Sequence, residues 1–402
     1  MSPLLALDPL LVDVDWMSVL LVIVKVVVAF GMLLNSVMLM IWFERKLHAD
    51  MSNRLGPTVA GPFGLFQTLA DGVKAFFKED LIPRRADPFV FRIAPFLALI
   101  PAFLVFAVVP VAGNFDRGGD GMVEIAGHKT LMQLADPHIG ILLVLAMSSV
   151  AVYGVMLAGW SSGSKYPLLG SVRATAQMVS YEAALGLSLL AVLLRSGTLS
   201  TNGIVSSQST WQWNLWMTGL VPFVVFLIAA TAELNRPPFD LVEAEQELVG
   251  GFHTEYSGFR FALFYLTEFM NVITMSAVIV TLFLGGPSGP SFGLTGWVAD
   301  YVLPTVWFFL KLLALLVTFV LFRTTLPRLR YDQLMDLGWK LLIPLSLAWL
   351  IVLVGLRVGL DQDWPWAWVV AVAVVVALGA AALLVKAVRT AERRRELEEV
   401  NV

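Results

Sequence analysis

The chain has 402 residues, of which 58% are hydrophobic and 14% are charged, and its formal net charge is −3. Soluble domains carry about 25% charged residues, so this composition excludes an ordinary soluble domain, and the small negative charge argues against a nucleic-acid partner. The chain has no cysteine, which excludes thiolate ligation of iron–sulfur clusters, disulfides and thiol nucleophiles. Its four histidines lack metal-ligand spacing, so we expect no metal site.

Apolar stretches of about 20 residues recur along the chain and are long enough to cross a bilayer as helices. They predict one all-α polytopic membrane domain over residues 1–402, with about nine transmembrane helices and one interfacial amphipathic helix after the first span. The predicted spans are residues 16–43, 89–112, 139–158, 168–194, 215–232, 259–284, 301–322, 339–359 and 366–386.

The amphipathic helix is predicted at residues 61–78, inside a polar segment over residues 44–88. Apolar residues recur there at helical spacing, and polar residues fill the opposite face, as in a helix that lies at a membrane surface. An anchoring helix without a ligand is the alternative. The apolar positions are Phe63, Phe66, Leu69, Val73 and Phe76 or Phe77, and the polar positions are Gln67, Asp71, Lys74 and Lys78.

A dense acidic cluster lies at residues 233–258, between two apolar spans, and Arg236 is the only arginine or lysine among its carboxylates. On a helix, Asp240, Glu243 and Glu247 would share one face. Carboxylates that are close together and partly buried titrate as a coupled set, whereas a solvated acidic loop is the alternative. The carboxylates of the cluster are Glu233, Asp240, Glu243, Glu245, Glu247 and Glu255.

Charged residues also occur inside the predicted spans, where they are costly and face a partner or a wet cavity. They include Lys25, Arg173, Glu182, Glu268 and Lys311. Lysine and arginine are otherwise concentrated in the 44–88 segment, in the loop before residue 339 and in the tail. The positive-inside rule therefore places the 44–88 segment, the acidic 233–258 loop and the C-terminus in the cytoplasm, and the N-terminus outside.

Five sequence blocks carry a resemblance to a known family. They are Glu44-Arg-Lys46 with Met51, Arg54 and Gly56-Pro57; Gly61 to Gly64 with Gln67, Asp71 and Lys74; Gly159 to Tyr166 with Arg173, Gln177 and Ser180-Tyr-Glu182; Glu233 to Asp240 with His253 to Gly258; and Leu326 to Gln333 with Gly338-Trp-Lys340. Over about residues 16–350 they resemble the H subunit of NADH-quinone oxidoreductase, the quinone-facing membrane subunit of bacterial respiratory complex I. The chain departs from the family pattern at Asp50, Ser52, Thr58 and Val59, and an extra helix and basic tail cover residues 360–402.

The resemblance implies a membrane subunit of the proton-pumping enzyme in the bacterial inner membrane. The first helix, the amphipathic helix and the sixth helix would frame a tunnel for menaquinone or ubiquinone. FMN and the iron–sulfur clusters would belong to partner subunits, which comprise peripheral-arm quinone-site subunits and small membrane subunits beside the lipid bilayer. The residues expected at the quinone are Arg45, Met51, Arg54, Phe63, Phe66, Gln67, Asp71 and Lys74. Those expected to couple quinone reduction to proton translocation are Glu182, Glu233, Arg236, Asp240, Glu243, Glu245, Glu247, Glu255 and Glu268.

Two other functions stay open at this point. A membrane subunit of an energy-converting hydrogenase shares parts of the same blocks. A stand-alone cation or proton transporter would show paired repeats and broken helices around a site at the membrane midplane, and we find no internal repeat in the sequence.

Overall fold

A computed structural model gives the fold, and it describes residues 14–115, 119–208, 211–241, 249–290 and 296–362, together with residues 8, 10 and 371. The predicted ninth span at residues 366–386 lies outside this part of the chain, apart from residue 371. Glu243, Glu245 and Glu247 also lie outside it, so their predicted helical face stays a prediction.

The described residues form mainly helices. The helices are α1 (Trp16–Met51), α2 (Gln67–Phe77), α3 (Pro88–Ala107), α4 (Gly140–Ser161), α5 (Lys165–Ser196), α6 (Thr201–Ser206), α7 (Asn214–Met217), α8 (Leu220–Glu233), α9 (Gly258–Phe283), α10 (Leu303–Thr325), α11 (Tyr331–Asp336) and α12 (Ile343–Asp361). Short 3-10 turns occur at Pro62–Gly64 and Gly251–His253, and π-helical turns at Val298–Val302 and Leu337–Leu342. The fold therefore confirms the predicted all-α class.

Among the residues that the structure describes, seven helices are long and apolar enough to cross a membrane by length and composition. They correspond to seven of the predicted spans. The predicted span at residues 215–232 instead holds the short helix α7 and then α8, which has 14 residues and a length of about 21 Å, less than the thickness of a bilayer core of about 30 Å. Gly219, with φ of +81°, separates the two helices. The count of nine spans is therefore approximate.

A two-stranded antiparallel hairpin, β1 (Met122–Ile125) and β2 (His128–Leu131), was not predicted. Its Thr130 hydroxyl faces the first helix, where Lys25 Nζ lies 2.9 Å from Thr130 Oγ1 and 2.7 Å from Asp8 Oδ2. The hairpin and the N-terminal segment thus supply the partners that a lysine within a span requires.

Helix α9 lies in the centre of the described helices. In the most apolar part of α9, 78% of the residues are buried inside the protein. The corresponding buried share is 11% for α1 and 17% for the last described span, Tyr331–Gly359. Phe269 and Phe283 of α9 are almost fully buried, whereas Ile23 and Val27 of α1 are exposed. Helix α9 is therefore the element around which the site residues are arranged, and α1 presents an apolar face outwards.

The predicted amphipathic helix forms as the 3-10 turn Pro62–Gly64 followed by α2. None of the residues of α2 is buried, and its Leu69, Val73 and Phe76 side chains are exposed. The orientation of the chain in the membrane, and hence the cytoplasmic position of α2, stays a prediction.

Candidate functional site

Arg236 connects two carboxylates from different helices. Its Nη1 atom lies 3.1 Å from Oε1 of Glu44 on α1, and its Nε atom lies 3.0 Å from Oε1 of Glu268 on α9. Arg323 of α10 also pairs with Glu44. Arg236 and Glu44 are buried, and a buried charge is tolerated only when it is paired. We call the four residues Arg323, Glu44, Arg236 and Glu268 the ion chain.

The Arg-Pro-Pro sequence places Arg236 in the ion chain. Helix α8 ends at Glu233, since Pro237 and Pro238 lack the N–H donors that a helix needs. Gln177 of α5 fixes the segment that follows α8, because its Nε2 atom donates to the carbonyls of Ala232 at 2.7 Å and Phe239 at 2.9 Å. The guanidinium also lies over the ring of Phe269, 4.4 Å from its centroid, which is a cation–π contact.

Two serines of α4 bring together two other carboxylates. Ser148 Oγ donates a hydrogen bond to Glu233 of α8, and Ser149 Oγ donates one to Glu182 of α5. Because the serines are consecutive, the two carboxylates meet the same turn of α4. The second oxygen of Glu233, Oε2, is buried and makes no hydrogen bond within the described part of the chain.

A cavity of about 80 Å³ lies between α3, α4, α5, α8 and α9. Glu233 and Glu268 both line it, with Asn235, His253 and Asn271. Glu233 also borders a neighbouring cavity of about 50 Å³. Cavities with several polar groups hold ordered water. The space therefore connects the ion chain with the carboxylates that α4 holds.

His253 of the 233–258 loop lines this cavity, and Asp240 and Glu255 lie elsewhere in the same loop. Asp240 pairs with Arg328, whose Nη2 atom is 2.9 Å from Asp240 Oδ2. Glu255 is half-buried in the turn before α9. Burial lowers the pKa of His253 to about 4, so its imidazole is neutral at pH 7.

The surface between α1 and α2 holds most of the residues predicted at the quinone. Arg45 Nη1 lies 2.6 Å from Asp71 Oδ2, and Gln67 Nε2 donates to Asp71 Oδ1 at 3.0 Å. The rings of Phe63 and Phe66 are exposed beside them. We call this surface, formed by Arg45, Phe63, Phe66, Gln67 and Asp71, the α1–α2 face.

The chain matches the NADH dehydrogenase family over residues 24–354. It is 52% identical over 340 residues to the NADH-quinone oxidoreductase H subunit of Frankia alni, and this match covers 84% of the chain and 73% of the relative. The identity to the NADH-quinone oxidoreductase H subunit of Streptomyces avermitilis is 46% over 371 residues, which cover 90% of the chain and 79% of the relative. The chain belongs to the family of NADH-quinone oxidoreductase H subunits. As a member of this family it is a membrane subunit of an enzyme complex, and the resemblance found in the sequence is confirmed.

The structure of this H subunit joins several of the predicted residues directly. Arg236 meets Glu268, and Arg45 and Gln67 meet Asp71. Other predicted residues stand apart, since Arg54 and Lys74 are exposed. The thioether of Met51 accepts a hydrogen bond from Thr324 Oγ1 at 3.3 Å.

Sequence reasoning missed the partners that complete the buried networks of this H subunit. These are Glu44, Arg323, Gln177, Ser148 and Ser149. Glu44 lies in one of the five sequence blocks, but a glutamate beside Arg45 at the end of an apolar helix also fits a solvated helix end. Nothing in the pattern distinguishes Ser148 and Ser149 from other serines of apolar helices.

Proposed function

We propose that this H subunit forms the membrane part of a quinone tunnel in complex I and couples quinone reduction to proton translocation. The observation that carries the proposal is the arrangement of Glu44 and Arg45. These consecutive residues of α1 join the ion chain in the interior and the α1–α2 face at the surface. One rigid helix therefore connects a surface suited to quinone with buried carboxylates suited to proton exchange.

The α1–α2 face has the chemistry that quinone requires. Exposed aromatic rings at Phe63 and Phe66 offer an apolar path for the isoprenoid tail, while Gln67, Asp71 and Arg45 offer polar contacts to the headgroup. In this role the face is the mouth of the tunnel. The chain has no cysteine and therefore cannot hold an iron–sulfur cluster through thiolates. The iron–sulfur clusters and FMN would reside on peripheral-arm partner subunits, and menaquinone or ubiquinone would be the substrate.

The interior has the chemistry that proton transfer requires. Arg236 stabilises the charged forms of Glu44 and Glu268, and the cavity separates Glu268 from Glu233 by a space in which water can carry protons. Ser148 and Ser149 then extend the polar path from Glu233 to Glu182. Adding or removing a proton at one of these carboxylates changes the field at the next, because charges interact strongly in a medium of low dielectric constant.

Tyr265 of α9 provides a second link between the two regions. Its hydroxyl interacts with Arg45, and Glu268 and Arg236 are close enough to act on it electrostatically. It also lines the cavity. A change in the pairing of Arg45 with Asp71 would therefore alter the electrostatic field at Glu268 through Tyr265 as well as through Glu44. The acidic residues Asp240, Glu243, Glu245, Glu247 and Glu255 would belong to the same coupled set.

The proposal is tested by replacing Glu233 with glutamine in the assembled complex. We expect Glu233→Gln to reduce proton pumping and quinone reduction together, since the path is interrupted between Glu268 and Glu182. Glu124→Gln on the exposed hairpin is the matched control, and it should leave both rates unchanged. Quinone reduction and proton uptake would be measured in reconstituted vesicles. Normal pumping in Glu233→Gln would contradict the relay.

A further inference from the structure

Phe63 has a backbone conformation that its side chain does not favour. Its φ is +55° and its ψ is +17°, which is the left-handed region. Residues other than glycine, asparagine and aspartate seldom adopt it, because Cβ approaches the following carbonyl oxygen. The ring is 77% exposed, so burial of the ring in a core does not explain the conformation. Other contacts must hold Phe63 in place.

Two glycines shape the loop around Phe63. Gly61 has φ of +72° and Gly64 has φ of +77°, and neither has room for a side chain. A Cβ atom on Gly61 would lie 2.2 Å from the ring of Phe66, and one on Gly64 would lie 2.4 Å from the carbonyl oxygen of Pro57. The loop is therefore closely packed against the residues on either side of it, and its shape depends on both glycines.

A tryptophan of α1 holds the carbonyl group of Phe63. The indole Nε1 of Trp42 donates a hydrogen bond to the Phe63 carbonyl oxygen at 3.0 Å. One turn earlier on the same helix, the carbonyl of Met38 accepts a hydrogen bond from Thr68 Oγ1 at 3.3 Å, which fixes the start of α2. Helix α1 thus holds the loop and the start of α2 by two hydrogen bonds, and the one from Trp42 is made to the strained residue Phe63.

We propose that Trp42 is a positioning residue for quinone entry. Its indole N–H fixes the Phe63 carbonyl, and the fixed backbone directs the exposed ring across the α1–α2 face, where an isoprenoid quinone passes. This inference rests on the proposed function of the α1–α2 face as the mouth of the tunnel. Trp42 acts through Phe63 and needs no contact with the quinone itself.

Trp42→Phe is the direct test, because it removes the indole N–H and retains an aromatic ring. In the assembled complex we expect the KM for decylubiquinone, or for a short-chain naphthoquinone if that is the better substrate, to rise about three- to tenfold, the effect of losing one hydrogen bond. The kcat should stay unchanged. NADH oxidation with hexacyanoferrate should be unaffected. Trp160→Phe, at a residue of α4 that is 57% exposed, makes the same change outside the loop and should leave the KM unaltered.

A double-mutant cycle separates positioning from general structural support. Once Phe63→Ala has removed the ring, Trp42→Phe should raise the KM no further, since residues that act as one unit are non-additive. Additive effects would overturn the inference. The inference would also be overturned if Phe63→Ala raises the KM and Trp42→Phe leaves it unchanged. In that case the proposed mouth of the tunnel would still stand. An unchanged KM in Phe63→Ala overturns the mouth and the inference together.

Assembly of the complex is followed on native gels, and rates are expressed per assembled complex. If the complex with Trp42→Phe does not assemble, Gly61→Ala is the variant that tests the inference, because it disturbs the same loop at its contact with Phe66. We expect Gly61→Ala to raise the KM for the same quinone with an unchanged kcat. A normal KM in that variant would mean that the loop does not position Phe63 for quinone, and the inference would be wrong.

Discussion

Glu44 and Arg45 are consecutive on α1, and their side chains enter two different networks. Glu44 contacts the buried Arg236 at 3.1 Å, while Arg45 contacts Asp71 at the surface at 2.6 Å. Adjacent side chains of a helix point about 100° apart. Glu44 and Arg45 therefore do not contact each other, and each faces a different environment. A small rotation of α1 would therefore change both ion pairs at once.

Arg236 should be the residue of the ion chain that is hardest to replace. Arg236→Gln leaves Glu44 and Glu268 without their shared partner, and removing one member of a buried pair costs about 3–5 kcal/mol. Arg330→Gln is the control, because its pair with Asp332 is exposed and exposed pairs contribute about 0–1 kcal/mol. We expect a large loss of thermal stability of the assembled complex for Arg236→Gln and almost none for Arg330→Gln. Equal stability of the two variants would contradict the ion chain.

The serines of α4 should matter for proton pumping. Ser148→Ala and Ser149→Ala each remove a donor to a carboxylate, and hydrogen bonds to charged groups contribute about 1.5–3 kcal/mol. We expect each change to lower the ratio of protons pumped to quinone reduced, and the double change to be non-additive. Ser346→Ala is the matched control, since its hydroxyl donates to the backbone carbonyl of Ile343 and, within the described residues, to no carboxylate. An unchanged ratio in the double variant would exclude the serines from the path.

His253 should make the folded protein sensitive to acid. It lies against the rings of Phe252 and Phe261, at centroid distances of 5.0 and 5.4 Å, and burial lowers its pKa to about 4. The ordinary pKa of histidine is about 6.5, so between these values the unfolded chain binds a proton that the folded chain excludes. Stability is therefore unaffected by His253 above about pH 6.5 and falls as the pH drops towards 4.

The change His253→Asn should flatten this part of the stability profile. The measurement is the thermal midpoint of the purified complex between pH 4 and pH 8. His48→Asn, at an exposed position of α1, is the control and should keep the profile of the unmodified complex. If His253→Asn and His48→Asn show the same slope below pH 6.5, burial of His253 is not the cause of the acid sensitivity.

Lys311 should stabilise the end of the central helix. Its Nζ atom donates to the carbonyls of Leu284 at 2.7 Å, Gly286 at 2.9 Å and Ser288 at 2.6 Å. A cation is favourable at the C-terminal end of a helix, and Lys311→Met would leave these carbonyls without that donor, at about 1–3 kcal/mol for each group that stays unsatisfied. We expect a lower thermal midpoint of the complex. Lys340→Met, which removes an exposed pair with Asp336, should leave it unchanged.

The fold could be predicted from the sequence because a membrane span is a local property. Length and hydropathy suffice for α1, α3 or α9. They did not predict that Gly219 and the Arg-Pro-Pro sequence would limit α8 to 14 residues. They also gave no sign of the hairpin of β1 and β2, whose strands of four residues each are too short for a periodic signal.

The site could be predicted only in part, because its contacts join distant parts of the chain. The charge pattern identified Arg236 and Glu268 as unusual. It could not pair Arg236 with Glu44, since the two residues are 192 positions apart and only the packing of α1 against the segment after α8 brings them together. Ser148 and Ser149 gain their role solely from the carboxylates that face them.

The central position of α9 has a consequence for how the sequence can vary. The fully buried positions of this helix should tolerate mainly changes that conserve volume, because both a cavity and a larger side chain cost stability there. The outward face of α1 meets no such limit, and any apolar residue of sufficient length fits it. In a saturation library of this chain, valine, leucine and phenylalanine should therefore be accepted at positions 23 and 27, which hold Ile23 and Val27. Most of these substitutions should be rejected at Met270 and Ile273, which are buried in α9.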